Sequence, residues 1–257
     1  MIIEYVMLAV TGLFFGSFLN VLADRLSREE SIMGRSYCES CKHVLEWKDL
    51  IPVVSYLYLK GKCRYCKAPF TSQYPLAELF TSGMYVLVWY LSNLQYGLVS
   101  FHILHIVVVS ILIVILLADL RYQIIPDEMQ IALIVVAVVR LFIVGFAFDI
   151  LLQQLLAGMI AFLPLLALFL ITKGRGMGFG DVKLAFGIGF YLGLWNGLLA
   201  LYIGFLSGGI IGAAILLLKK GDRKTKIAFG PFLVVGFFVM VFFEGSVSML
   251  LKLIYNY

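Results

Sequence analysis

Charge is what this sequence has least of. Asp, Glu, Lys and Arg make up 14% of its 257 residues, against 62% hydrophobic residues. Soluble domains carry about 25% charged residues, so a soluble globular enzyme is excluded for most of the length. The first apolar run, "IIEYVMLAVTGLFFGSFLNVLA", lacks the basic flank and small-residue cleavage site of a secretory signal, and Glu4 stands where Lys or Arg belongs. It reads as a retained first span. No repeat relates the two halves, which argues against a carrier built from duplicated bundles. The net charge of +5 does not argue for nucleic acid, because the basic residues lie in links between apolar runs.

What fills the chain instead is a succession of apolar runs at 3–23, 75–95, 99–118, 129–148, 150–172, 183–194, 196–218 and 231–253. Runs of this length and composition read as membrane-spanning helices. The expected fold is an all-α polytopic membrane protein of about eight spans, with one small insert between the first two. The sixth and seventh runs are separated only by "GLWNG" (193–197), where Gly and Asn predict a tight turn. Three segments follow: a first transmembrane helix (1–23), a four-cysteine loop (24–74) and a transmembrane core (75–257).

Orientation follows from Lys and Arg. Of 20 such residues, all but Arg140 and Lys252 lie in or beside the links 24–74, 119–128, 173–182 and 219–230. The opposite links, "SNLQYG", "FD" and "LWN", contain none. The positive-inside rule puts the basic links in the cytosol. Asp119, at the end of the third run, and Asp181, at the start of the sixth, then fall at one depth on the cytosolic side.

An ionisable group at a membrane boundary is costly, about 2.5–3.5 kcal/mol on insertion scales, and is a functional candidate. A lone Asp at a span end can equally be solvated or cap a helix. Asp181 has the stronger local setting: it begins a helix, where the macrodipole favours an anion. Gly178 and Gly180 beside it would let another backbone approach. Two carboxylates brought together cannot both ionise cheaply and share a proton. One can then activate water while its protonated partner polarises a carbonyl, as in aspartic proteases. Glu78 lies near the same depth, either in support of the acids or paired with a basic loop residue. Asp127 most simply caps the next helix.

All four cysteines fall in the 24–74 loop, as "CESC" (38–41) and "CRYC" (63–66). Two C-x-x-C pairs at this separation fit a four-thiolate zinc site formed by Cys38, Cys41, Cys63 and Cys66. The basic flanks favour thiolates, and a reducing cytosol disfavours stable disulfides. Redox cysteines are the other reading, although the charge pattern puts the pairs away from the oxidising side. His43 lies beside the second cysteine as a spare ligand, while His102 and His105 are expected to serve in packing.

Taken together, "GSFLNVLADRL" (16–26), the two cysteine pairs, "IPVVSYLYLKGKCRYC" (51–66), "YPLAELF" (74–80), "DLRYQIIPDEM" (119–129), "GFGDVKLAFGIG" (178–189) and "FGPFLVVG" (229–236) resemble the prepilin peptidase family, in order and through nearly the whole chain. The resemblance implies a membrane aspartic endopeptidase of the bacterial plasma membrane with its active site facing the cytosol. Its partners would be type IV prepilins or pseudopilins, cut after a glycine that ends a short basic leader. It carries the family's two aspartates onto Asp119 and Asp181, and prefers Asp119 to Asp127 because the first acid of the motif precedes "IPD". It also implies N-methylation of the new amino terminus by S-adenosylmethionine. No Gly-rich turn marks a methyl-donor site, so that half rests on the resemblance. A departure is Glu39, where many relatives have proline. A presenilin-like protease would also use G-x-G-D, but would need a Pro-Ala-Leu element where this chain has "GPF" (230–232).

Overall fold

The computed structural model describes residues 2–95, 99–218 and 228–255, with side chains to residue 243. The basic stretch 219–227 used above for topology lies outside the described residues. The regular elements of the described residues are helices, in order α1 (Ile2–Ser27), a 3₁₀ turn (Trp47–Asp49), α2 (Val54–Tyr58), α3 (Gln73–Gln95), α4 (Val99–Tyr122), α5 (Asp127–Val144), α6 (Phe148–Thr172), α7 (Phe179–Leu192), α8 (Leu194–Leu217) and α9 (Gly230–Tyr255). Among the described residues the only β pairing is two isolated bridges, Tyr37 with Val44 and Lys62 with Pro69.

Each of the eight apolar runs falls on a helix. Four of them, α1, α4, α6 and α8, are long and apolar enough to cross a membrane. Among the described residues, α5 and α7 fall short for visible reasons. At 14 residues, α7 is about 21 Å long against a hydrocarbon core of about 30 Å. Within its 18 residues α5 carries Asp127, Glu128 and Arg140. Large apolar side chains such as Phe14, Phe18, Leu155 and Phe142 point outward, as membrane-facing helices require. The break between α7 and α8 is tighter than the expected 193–197 turn. It is Gly193 alone, at φ 83°, a conformation costly for any side chain.

The chain divides into two compact units, residues 1–117 and 118–257. In the first, α1 packs on α3 through Gly12 and Gly16. A Cβ at Gly12 would lie 2.7 Å from Ser82 Cα, and one at Gly16 would lie 2.8 Å from Glu78 Cα. This is the small-x-x-x-small contact of membrane helices. Polar bonds reinforce it: Ser82 Oγ donates to Ala9 O (2.8 Å), Asn20 Nδ2 to Tyr74 O (3.3 Å), and Trp89 Nε1 to Glu4 Oε1 (2.8 Å).

In the second unit α7 is the central helix, contacting α5, α6, α8 and α9. Its glycines make room for close neighbours, Gly189 for Ala157 and Ala161 of α6. Arg140 of α5 closes its far end. The guanidinium donates to Tyr191 O (2.7 Å) and lies over the Tyr191 ring, so a cation meets the negative end of the α7 dipole.

Candidate active site and metal centre

The second unit gathers the two aspartates at helix starts. Asp119 lies in the last turn of α4, which ends because Gln123 turns left-handed (φ 55°) and Pro126 cannot continue a helix. Its Oδ2 accepts the N–H of Gly230, the first residue of α9, at 2.8 Å. Asp181 is the third residue of α7, and its Oδ2 accepts the N–H of Gly178 at 3.0 Å. That is half of a capping box. Both acids therefore sit at the positive end of a helix. They are 5% and 7% exposed, and each lies within electrostatic reach of the other.

Ile125 joins their surroundings. A Cβ at Gly180 would meet Ile125 Cβ at 3.1 Å, and one at Gly230 would meet Ile125 Cδ1 at 3.3 Å. The space a side chain at 180 would take is thus filled by Ile125. Gly178 is the N-cap of α7, in ordinary extended backbone. Asp127 is corrected. Pro126 holds the cap position of α5, and Asp127, in the first turn, is 66% exposed on its side chain and paired with Lys183.

The first unit holds the cysteines. Sγ atoms of Cys38, Cys41, Cys63 and Cys66 all lie within 4.8 Å of one another, with Cys38 and Cys66 at 3.8 Å. Zinc–thiolate bonds of about 2.3 Å in a tetrahedron put sulfurs about 3.8 Å apart, so the donor set fits zinc. The two halves are near copies. Lys42 N–H donates to Cys38 O (2.8 Å) and Lys67 N–H to Cys63 O (3.1 Å), with both lysines left-handed at φ 56° and 61°. His43 is not drawn into the cluster; its ring lies 3.7 Å from that of Tyr65, centre to centre.

Electrostatics within the loop suit a cation. Burial opposes ionisation of Cys38, but the N–H groups of Cys41 and Ser40 outweigh it and bring the thiol down to about 7. The Ala68 N–H favours the Cys66 thiolate, yet burial and the neighbouring thiols push it up to about 11. Negative charge accumulates on the sulfurs against repulsion, which a divalent ion offsets. Beside them Asp49, 3% exposed on its side chain, is bound by Arg64 Nε at 2.6 Å. Burial raises the Asp49 carboxyl, and the Arg64 hydrogen bond and charge more than reverse that, holding it below the usual carboxylate range.

Glu78 belongs to the first unit, Asp119 and Asp181 to the second. Its Oε2 accepts the N–H of Val53 at 2.7 Å, so its partner is loop backbone rather than a basic side chain. Val53 stands at φ 61°, ψ −48°. For a β-branched residue this is an outlier that costs about 1–3 kcal/mol and calls for a cause. His105 Nδ1 meets Ser92 Oγ (2.9 Å) and His102 Nε2 meets Asn93 Oδ1 (2.8 Å). Both are buried packing groups. Sequence reasoning missed Gly230, Ile125 and Val53. "FGP" at 229–231 signals a helix start, with Pro231 lacking an N–H and Gly230 offering one, but nothing local tells that Asp119 receives it.

Paired buried carboxylates among helices of membrane length are the equipment of a membrane aspartic peptidase. Residues 10–92 match the bacterial peptidase A24 N-terminal domain, and residues 106–213 match the type IV leader peptidase family. The prepilin leader peptidase/N-methyltransferase of Bacillus subtilis (strain 168) is 30% identical, over 93% of this chain and 94% of its own length. Those of Legionella pneumophila (30%; 95% and 92%) and Aeromonas hydrophila (29%; 92% and 90%) are similarly close. No solved structure matches the chain. The chain belongs to the prepilin leader peptidase family, a family of aspartic peptidases.

Proposed function

We propose that this protein cleaves the leader of type IV prepilins or pseudopilins after glycine at the cytosolic face of the bacterial plasma membrane, using Asp119 and Asp181. The observation that carries the reading is the pair itself: two buried carboxylates in electrostatic reach of one another, each fixed through one oxygen by a backbone N–H at a helix start. One carboxylate takes a proton from water as the oxygen adds to the scissile carbonyl. The protonated partner donates to the carbonyl oxygen. Collapse breaks the C–N bond, and the amine leaves with a proton returned by the pair. A single proton shared between two acids suffices for both roles.

The substrate's apolar helix would lie in the membrane while its basic leader stays in the cytosol, so no charge enters lipid. In this reading eight helices span the membrane, both termini lie outside, and the loop 24–74 is a cytosolic insert ahead of the peptidase core 75–257. Gly178 and Gly180 support the acids, while Asp127, expected to support them too, pairs instead with Lys183. Cys38, Cys41, Cys63 and Cys66 would hold zinc, which gives the loop a fold its few apolar residues could not secure. Membrane lipid is the surrounding partner, and no nucleic acid is involved. After cleavage the new amino terminus is N-methylated from S-adenosylmethionine, in line with the names of the relatives.

The test is cleavage of a full-length prepilin by purified protein in detergent, comparing wild type with Asp119→Asn and Asp181→Asn. Wild type should cut after the leader glycine and both variants should fail. A variant that still cuts at the wild-type rate sinks the paired-acid mechanism. Mass spectrometry of the product with S-adenosylmethionine present reads the methyl group in the same experiment.

A further inference from the structure

The segment between the two cysteine pairs is turned inside out for a structure in water. On α2 the side chains of Val54, Leu57 and Tyr58, at i, i+3 and i+4, share one face. That face is the exposed one, with Leu57 at 69% and Tyr58 at 77%. Ser55 and Tyr56, the polar alternatives, line a cavity instead, where the Tyr56 hydroxyl donates to Phe70 O (3.4 Å). The preceding 3₁₀ turn packs on α2 and brings Trp47, 71% exposed, with Leu50 close behind it. Outward-facing apolar side chains gathered this closely mark a surface that meets protein or membrane.

Glu78 fixes the depth of the segment. It lies within the apolar run of α3, among the outward-facing Leu76, Leu79 and Phe80. Its Cα stands against Gly16, within the apolar run of α1. The Val53 N–H reaches its Oε2 at 2.7 Å, so the loop dips past the start of the α3 apolar run. This gives the left-handed turn at Val53 its cause: it aims an N–H at an acceptor where water is scarce. The neighbouring main chain meets the same demand. Pro52 has no N–H, and those of Ser55, Leu57, Leu59 and Gly61 go to the carbonyls of Ile51 (3.0 Å), Val53 (3.0 Å), Ser55 (2.9 Å) and Tyr56 (2.9 Å). Charge frames the patch. Lys48, over the Trp47 ring, and Lys60 are exposed at its two ends, where ammonium groups meet anionic headgroups.

We propose that residues 47–60 anchor the four-cysteine loop in the membrane, with Val54, Leu57 and Tyr58 set in the cytosolic leaflet, Trp47 at headgroup level, and Lys48 and Lys60 on lipid phosphates. The inference rests on the membrane placement above, in which α1 and α3 cross the bilayer, and adds that the insert between them is not wholly in the cytosol. Lipid is the occupant because the patch continues the outward apolar face of α3 at one level, through the contact of Val53 with Glu78. Tryptophan favours that interface, and a helix with one apolar outer face lies in its plane. The anchor holds the cysteine cluster at a set height beside the ends of α1 and α3.

The test places the full-length protein in nanodiscs of phosphatidylethanolamine and phosphatidylglycerol, with a trace of a phospholipid that bears a diazirine on its acyl chain. Irradiation attaches this lipid to the side chains it touches, and peptide mass spectrometry maps the adducts. Residues 54–58 should carry adducts within a few-fold of those on α1 and α3, and residues 37–46 almost none. Combining Leu57→Asp with Tyr58→Asp should lower the adducts on 54–58 about tenfold, since carboxylates are expelled from acyl chains, with α1 and α3 labelled as before. Wild-type protein labelled on α1 and α3 but not on 54–58 overturns the proposal and leaves the patch to a protein partner. Undiminished adducts in the double variant overturn it too. If that variant does not enter nanodiscs, the wild-type map decides. If α1 and α3 are themselves unlabelled, the membrane placement fails and takes the anchor with it.

Discussion

Gly230 donates its N–H to Asp119 Oδ2 at 2.8 Å, across 111 residues of chain. The position admits no side chain, since a Cβ there would lie 2.7 Å from that oxygen. Gly230→Ala should therefore displace Asp119 without unfolding α9. Misplacing a reacting group by about 1 Å costs about 100-fold, so kcat for leader cleavage should fall by about that factor with KM little changed. Steady-state kinetics in detergent, alongside a thermal aggregation profile matching wild type, checks it.

Asp127 should behave oppositely. Its pair with Lys183 is exposed, and exposed pairs contribute about 0–1 kcal/mol. Asp127→Asn should cut within a few-fold of wild type, where Asp119→Asn does not. A loss as deep as that of Asp119→Asn would transfer the catalytic role to Asp127.

The sulfur geometry predicts about one zinc per chain, measurable by elemental analysis of protein purified without added metal. Cys63→Ser should remove most of it. Because such sites couple metal to folding, chelation should expose residues 36–70 to hydrogen exchange while leaving α6 to α8 protected. Retained protection of the loop after complete chelation would assign it a metal-independent fold.

The Asp49–Arg64 pair sets a pH dependence. A carboxyl held lower in the folded state than the unfolded value of about 3.9 stabilises fully above that value. The contribution disappears as the pH falls through the lowered folded value. Thiolate–metal bonds also fail in acid, so the measurement is the difference between wild type and Asp49→Asn. Wild-type resistance of the loop to proteolysis should exceed the variant's at pH 7, and the gap should close as the pH falls through the lowered folded value. A gap that widens in acid would reverse the sign assigned to Asp49.

Much of this was legible from residue order because apolar runs, basic links and cysteine spacing are local signals. Each run became a helix, and the four cysteines met. What stayed hidden depends on contacts between distant segments. "GLFFG" (12–16) reads as one more greasy stretch until Ser82 and Glu78 are set against it. Arg140 looks misplaced until Tyr191 takes it at the end of α7. The eight-span count outran what length and composition support in α5 and α7, where charge or shortness intervenes.

The partners of Asp119 and Asp181 are main-chain amides at Gly230 and Gly178. No side-chain replacement can delete such a donor, because every residue but proline carries it. A conventional alanine scan would find the acids, and at 230 it would report the clash of a new Cβ with Asp119 rather than the N–H that orients it. An ester in place of the amide at 178 or 230, introduced by chain semisynthesis, removes the N–H and leaves the shape. What inheritance must preserve is therefore where the helices begin, and at 230 the bare glycine, because the donors themselves are rebuilt with every copy of the backbone.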